Sequence, residues 1–310
     1  MGEHGDGHSL GWVWRRRYAA AGTLVLLASA CTGGSSDDPS TSTDSGTASS
    51  QPAPVGFHAS VQQQRIDVGT RRIGLELTSD HQTTAHVDGV QLLTSAFEQQ
   101  PATAKDTEFA PDTTIDLVVT YGAPVCAGDA TTHDAQVRVQ YDVGGGEQTA
   151  TLDVDARGRG LLQRLHDTAC AKDRLDQAAA LSYRLPFQRR QVDGSTALVG
   201  ALELTRPADG GSGERVTITS LLGSVLFDFL PLAGGEPTWG RLASRQDTAV
   251  IPVEIRSSDL CTQHARSQSQ QTFLFSAYVE VGGQPEYRQI VEPPRSLQVQ
   301  ALAMLDDVCG

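Results

Sequence analysis

The sequence predicts a mainly β protein with two tandem β-sandwich domains, each with a short helical segment and one disulfide. Three observations support this fold class. Short runs of alternating polar and apolar residues end in turns, several of these runs recur in the same order in both halves of the chain, and two cysteine pairs occupy matching places in the repeat. A chain of 310 residues is long enough for two such domains once terminal segments are set aside.

The N-terminal segment has the pattern of an export signal. Three arginines at positions 15–17 precede an apolar run from Ala19 to Ala30 that ends in small residues. This run is too short to span a hydrocarbon core of about 30 Å. We therefore predict a signal peptide at residues 1–30.

The residue that follows this run is a cysteine. The stretch "LASAC" resembles the bacterial lipobox, in which the cysteine is acylated and becomes the new N-terminus; this motif most often has Leu where Ala28 stands. The resemblance implies that Cys31 attaches lipid and anchors the protein to the outer face of the cytoplasmic membrane, so that its first partner is the membrane itself. The alternative is ordinary cleavage after Ala30, which would give a secreted protein.

A polar stretch separates the cysteine from the first predicted strand. Residues 32–55 are rich in Ser, Thr, Gly, Asp and Pro and contain almost no large apolar side chains. Such a segment cannot bury enough surface to offset the entropy lost on ordering. We expect residues 31–55 to form a lipid attachment site and a disordered tether.

The rest of the chain divides into two similar units, residues 56–172 and 173–310. The runs "IGLELT", "TTIDLVVTYGAPVC" and "VRVQYDVGGGE" of the first unit correspond to "ALELT", "TAVIPVEIRSSDLC" and "FLFSAYVEVGGQ" of the second. Apolar residues at helical spacing precede the last cysteine of each unit, in "LLQRLHDTAC" and "VQALAMLDDVC". Agreement of several segments in the same order indicates an internal duplication.

Four cysteines remain after Cys31, and four cysteines allow three pairings. The duplication places one pair in each unit, so we predict disulfides between Cys126 and Cys170 and between Cys261 and Cys309. A zinc or redox site usually needs closely spaced cysteines, and the sequence has no C-x-x-C motif.

The segment "LELTSDHQTTAHVDGVQLLTSAF" followed by "FAPDTTIDLVVTYG" resembles the immunoglobulin-like domains of bacterial envelope proteins. The chain is also similar to tandem-domain lipoproteins of high-GC Gram-positive bacteria, for which no activity is established. The resemblance implies an immunoglobulin-like sandwich in each unit and a place in the cell envelope. It supplies no catalytic residue.

Charge and motifs exclude several classes of function. The net charge of −13 has the wrong sign for a chain that binds nucleic acid or anionic lipid through its overall charge. After the predicted signal peptide, the chain lacks a G-x-S-x-G nucleophile elbow, an H-E-x-x-H motif, a P-loop and a dinucleotide-binding glycine motif. We therefore expect neither catalysis nor a cofactor.

One group of residues suggests a metal site. In "SDHQTTAHVDG", the side chains of Asp80, His81, His86 and Asp88 flank a predicted turn between two strands. His86 and Asp88 share a strand face by their spacing, and together with the other two residues they would offer ligands for a divalent metal. The alternative is an ordinary polar hairpin at the surface.

The apolar run "LLGSVLFDFLPL", residues 221–232, has more large apolar residues than a half-buried strand needs. It indicates either core packing or an exposed surface for a protein partner, and in the second case Phe227, Phe229 and Trp239 would form that surface.

The sequence thus predicts a lipid-anchored cell-envelope binding or accessory module that contacts another envelope protein or a cell-wall component. The alternative is an envelope receptor for a small ligand or a metal ion.

Overall fold

The computed structural model describes residues 56–128, 130–232 and 240–309. The predicted signal peptide, Cys31, the tether and Trp239 lie outside these residues. The chain divides into two compact units, residues 1–51 and 52–310, and all described residues belong to the second unit. None of the described helices is both long enough and apolar enough to cross a bilayer.

The first sandwich consists of two antiparallel sheets. Its strands are β1 (Phe57–Gln62), β2 (Arg72–Ser79), β3 (Ala85–Leu93), β4 (Thr103–Phe109), β5 (Thr114–Thr120), β6 (Gln136–Val143) and β7 (Gly146–Asp153). One sheet has the order β1-β2-β5 and the other β4-β3-β6-β7. The inward side chains alternate as predicted: Ile73, Leu75 and Leu77 of β2 are fully buried in the core between the sheets.

The first sandwich is followed by α1 (Ala156–Ala178). The carboxylate of Asp155 accepts a hydrogen bond from the Gly158 amide and caps the N-terminus of this helix. The helix begins close to β1, since a Cβ atom at Gly158 would lie 2.6 Å from the Val61 nitrogen. Glycine therefore permits the close approach of helix and strand.

The second sandwich also has two antiparallel sheets. Its elements are β8 (Ala180–Val192), β9 (Ser195–Thr205), β10 (Val216–Leu222), β11 (Phe227–Pro231), β12 (Gly240–Leu242), β13 (Thr248–Ser257), α2 (Gln263–Gln268), β14 (Ser276–Val281), β15 (Tyr287–Ile290) and α3 (Arg295–Val308). The sheet orders are β11-β13-β9-β8 and β12-β10-β14-β15.

The two sandwiches share one strand plan. The order β1-β2-β5 of the first corresponds to β8-β9-β13 of the second, and β4-β3-β6-β7 corresponds to β12-β10-β14-β15. Both are immunoglobulin-like sandwiches, so the predicted fold class is confirmed. The described part of the second sandwich has one strand without a counterpart, β11, which extends its first sheet by pairing with β13.

Each sandwich is closed by the predicted disulfide. Cys126 follows β5 and bonds to Cys170 in α1, while Cys261 follows β13 and bonds to Cys309 at the end of α3. In both cases the disulfide joins the segment after the same strand to the helix that ends the unit. The matching connectivity agrees with an internal duplication.

Helix α1 contributes to two separate cores. Leu162 belongs to the core of the first sandwich, whereas Leu175 and Ala178 belong to that of the second. The predicted boundary between residues 172 and 173 therefore falls inside a continuous helix. Both cores and both disulfides lie within the described residues, which thus carry the interactions that a folded unit requires.

Candidate functional site

A cleft lies between α1 and the turn that joins β14 to β15. Its volume is about 500 Å³, and its walls are formed by Cys126, His166, Asp167, Thr168, Cys170, Ala171, Arg174, Gln284, Pro285, Glu286, Tyr287 and Arg288. One wall thus comes from the helix of the first sandwich and the other from a hairpin of the second. This volume is within the range of small-molecule sites.

His166 is held in place on the helix wall of the cleft. Its Nε2 atom lies 3.1 Å from the Val125 carbonyl oxygen and 3.5 Å from the Cys170 sulfur. Its Nδ1 atom lies 3.4 Å from Asp167 Oδ1. The first disulfide thus fixes the loop that carries Val125, and this loop fixes the imidazole.

Two arginines line the cleft, Arg174 from the C-terminal part of α1 and Arg288 from β15. Arg174 is partly buried on α1, and within the described residues its guanidinium has no carboxylate at ion-pair distance. Arg288 donates from Nε to the hydroxyl of the buried Ser276 at 3.0 Å, which leaves its terminal nitrogens for other acceptors. Guanidinium groups bind carboxylates and phosphates through paired hydrogen bonds.

The Tyr287 phenol completes the cleft on the hairpin side. Burial raises its pKa, an effect that Lys172 partly opposes and Asp176 supports. The phenol therefore keeps its proton at neutral pH and remains a hydrogen-bond donor. The cleft can hold an anionic or hydrogen-bonding group, and it presents no nucleophile paired with a general base.

The four predicted metal ligands are not brought together. Asp80 pairs with His58 at 2.6 Å, and His86 lies 3.4 Å from Asp88 and 3.3 Å from Asp106. Among the described residues no group of three or more His, Cys, Asp or Glu side chains could hold a metal ion. The described structure therefore does not group the four predicted ligands, although His86 and Asp88 do share a strand face.

His81 does not join the other three predicted ligands because its ring packs inward. The ring centroid lies 4.9 Å from that of Phe57 and 5.5 Å from that of Tyr141. Its Nε2 atom is buried and has no hydrogen-bond partner among the described residues. His81 is thus an aromatic packing residue at the edge of the first core.

The predicted partner surface is also corrected. The side chains of Phe227 and Phe229 are 0% and 1% exposed, and they pack on Phe275 in the second core. They cannot contact a partner in this fold, and the other interpretation of the run 221–232, core packing, applies to them. Trp239 lies outside the described residues.

Sequence reasoning missed a polar network on the outer face of the second sandwich. Arg256 lies 2.6 Å from Glu254, which is buried, and 3.1 Å from Asp193. Burial and the nearby Asp259 raise the pKa of Asp228, and Arg256 acts in the opposite direction. In the strand "TAVIPVEIRS", every second residue points into the core, and Glu254 and Arg256 occupy positions of the other, outward-pointing set. This alternation was the pattern that could have indicated the network.

Comparisons with known proteins do not assign this chain to a family. No protein-family model matches the chain, and no curated protein matches it. Among solved structures, red sea bream transglutaminase aligns with 78% of this chain at 9% identity and a TM-score of 0.23, and the match covers 32% of the transglutaminase chain. The B domain of a biofilm-associated protein aligns with 76% of this chain at 8% identity and a TM-score of 0.19, and the match covers 83% of that domain.

These structural similarities are too weak to support a statement about function. The chain spans about a third of the transglutaminase, and no enzymatic activity follows from that match. The fold and the cleft define a protein with two immunoglobulin-like sandwiches that share a helix.

Proposed function

We propose that this protein is a lipid-anchored cell-envelope module that binds a partner through the cleft and performs no chemistry. The observation that carries the proposal is the pair Arg174 and Arg288, which come from α1 and β15 and line one cleft. The lipobox-like Cys31 and the polar tether support the location. The partner is another envelope protein or a cell-wall component with a carboxylate at the contact.

Two measurements test the two halves of this proposal. Incorporation of labelled palmitate into the wild-type chain, and its loss in Cys31→Ser, would support the anchor, whereas equal labelling of both would contradict it. A photo-crosslinker at Thr168, inside the cleft, should capture one envelope component reproducibly in cells. The matched position is Gln191, an exposed strand residue outside the cleft. Equal capture from both positions would contradict a cleft partner.

The same cleft favours a second candidate, a receptor for a small anionic ligand. Its volume of about 500 Å³ is large enough to hold such a ligand. A thermal-shift panel of carboxylates and phosphates should show stabilisation that Arg174→Gln or Arg288→Gln removes and that Arg184→Gln, an exposed control, retains. No shift across the panel would leave the macromolecular partner as the better proposal.

A further inference from the structure

The loop between β1 and β2, residues 63–71, exposes two aliphatic side chains. Ile66 and Val68 are 81% and 65% exposed, the highest values among the large hydrophobic residues that the structure describes. They flank Asp67, which is only 3% exposed. The loop therefore turns its one acidic residue inward and two aliphatic residues outward, the reverse of the usual arrangement in a soluble protein.

Hydrogen bonds around Asp67 hold this inverted arrangement in place. The Asp67 amide donates to the Gln64 carbonyl at 2.9 Å, and the Thr70 hydroxyl donates to the Asp67 carbonyl at 2.8 Å. The Asp67 carboxylate lies 3.5 Å from the Arg72 guanidinium. The protruding side chains are thus presented by a bonded turn.

The return of the loop to β2 is equally defined. Gly69 and Arg71 have φ angles of 83° and 54°, in the left-handed region that allows a tight reversal. The side-chain amide of Gln63 donates from Nε2 to the Arg72 carbonyl at 3.1 Å and ties the two ends of the loop together. A loop that is ordered in advance loses little conformational entropy on binding.

The loop is basic in a chain that is acidic overall. Arg65, Arg71 and Arg72 lie within ten positions of one another, and the one acid among them, Asp67, is buried and paired with Arg72. The chain as a whole has a net charge of −13. Tyr121 adjoins the loop, since its amide donates to the Arg71 carbonyl at 3.0 Å.

We propose that this loop inserts Ile66 and Val68 into the surface of an anionic lipid bilayer while Arg65 and Arg71 contact the lipid headgroups. Aliphatic side chains beside cations are the combination that interfacial membrane binding requires. A protein partner fits less well, because two protruding side chains supply much less than the ~800 Å² per partner of a standard interface.

The position of the loop is compatible with the predicted tether but does not depend on it. Strand β1 separates the loop from the start of the fold at Phe57 by roughly 20 Å. If residues 32–55 form the tether that the sequence predicts, its r.m.s. reach would be roughly 25 to 30 Å. A chain acylated at Cys31 could therefore place the loop on the same leaflet, and an unacylated chain would still bind vesicles through the loop.

The test is co-sedimentation of the protein that starts at Thr32 with vesicles of phosphatidylglycerol and phosphatidylcholine, or of phosphatidylcholine alone. Without residue 31 the result is independent of acylation, so failure here is distinct from failure of the palmitate test. Ile66→Ser together with Val68→Ser should weaken binding to anionic vesicles about tenfold. Arg65→Gln and Arg71→Gln should each weaken it about fivefold.

Matched controls are Leu260→Ser, which removes another aliphatic residue that is 64% exposed, and Arg245→Gln, both in the second sandwich. These should bind as the wild type does. The proposal is overturned if the wild type stays in solution with anionic vesicles or if the loop variants bind unchanged. It is also overturned if a photo-crosslinker at position 66 captures a protein and no lipid in cells.

Discussion

The first and second sandwiches have the same strand plan and the same disulfide topology, but they end differently. Helix α1 of the first has 23 residues and continues into the second core, whereas α3 of the second has 14 residues and stays within its own core. The second sandwich also carries β11, which the described part of the first does not match. The shared features follow the repeated sequence pattern. The helices differ because α1 packs on both cores, whereas α3 packs on the second core alone.

The comparison explains why one disulfide lies inside a helix and the other at a helix end. Cys170 is followed by eight more residues of α1, which reach the second core through Leu175 and Ala178. Cys309 lies at the C-cap of α3. The first disulfide therefore also holds the helix that joins the sandwiches.

The largest expected effect comes from removing each disulfide. The closed loops span 44 and 48 residues, so the chain-entropy model gives a loss of about 4 kcal/mol for Cys126→Ala with Cys170→Ala and for Cys261→Ala with Cys309→Ala. Urea denaturation of both variants measures the two losses. A much larger loss for the first pair would show that it also stabilises the junction, and a loss below about 1 kcal/mol for either would contradict the model.

Two leucines of α1 test whether one helix serves two cores. Leu162→Ala and Leu175→Ala should each lower the free energy of unfolding by about 2 to 4 kcal/mol, because both side chains are buried. Hydrogen exchange should show the loss mainly in β1 and β2 for the first variant and mainly in β8 and β9 for the second. The same exchange pattern for both variants would contradict separate cores.

A smaller effect is expected at the helix N-termini. Asp155 caps α1 through its side chain and also accepts from Ser60 at 2.8 Å, whereas Pro294 at the same place in α3 makes no side-chain cap. Asp155→Ala should cost about 1 kcal/mol, and Asp155→Asn should retain most of the cap. Pro294→Ala is the matched change at the N-terminus of α3. It should hardly change the melting temperature, because no side-chain capping hydrogen bond is lost. Equal losses at both positions would show that capping does not distinguish the helices.

The smallest predicted effect concerns the additional strand β11. The pKa of Asp228 is raised in the folded state, so folding favours its protonated form. The contribution of this group to the free energy of unfolding is fully present below its pKa in the unfolded chain, near 3.8. It is lost as the pH rises through its higher pKa in the folded protein. Asp228→Asn should flatten this part of the stability profile and raise stability at pH 7 by less than about 0.5 kcal/mol. An unchanged profile would contradict the assignment.

The sequence was sufficient for the sheets and the disulfides because both depend on local patterns. Alternation in "RIGLELT" directs Ile73 and Leu75 inward, and the duplicated context of the cysteines removes the ambiguity of pairing. The length of α1 could not be predicted in this way. Its apolar residues face two different cores, so no single helical stripe extends from Leu162 to Leu175.

The candidate sites were harder to predict because they depend on contacts between distant segments. The spacing of His86 and Asp88 correctly placed them on one face of the strand. The packing of the His81 ring against Phe57, which keeps His81 away from these two residues, is visible only in the structure. The cleft joins α1 to a hairpin more than a hundred residues away in the chain, and no local motif marks that contact.

The continuous helix between the sandwiches has a mechanical consequence. Domains joined by a loop rotate through a few soft backbone dihedrals, as in receptors that close like a clamshell. Here rotation would have to break backbone hydrogen bonds within α1, which also carries Arg174 on one wall of the cleft. The recess is therefore expected to keep a constant width, and an occupant would have to fit it without closure of the two sandwiches.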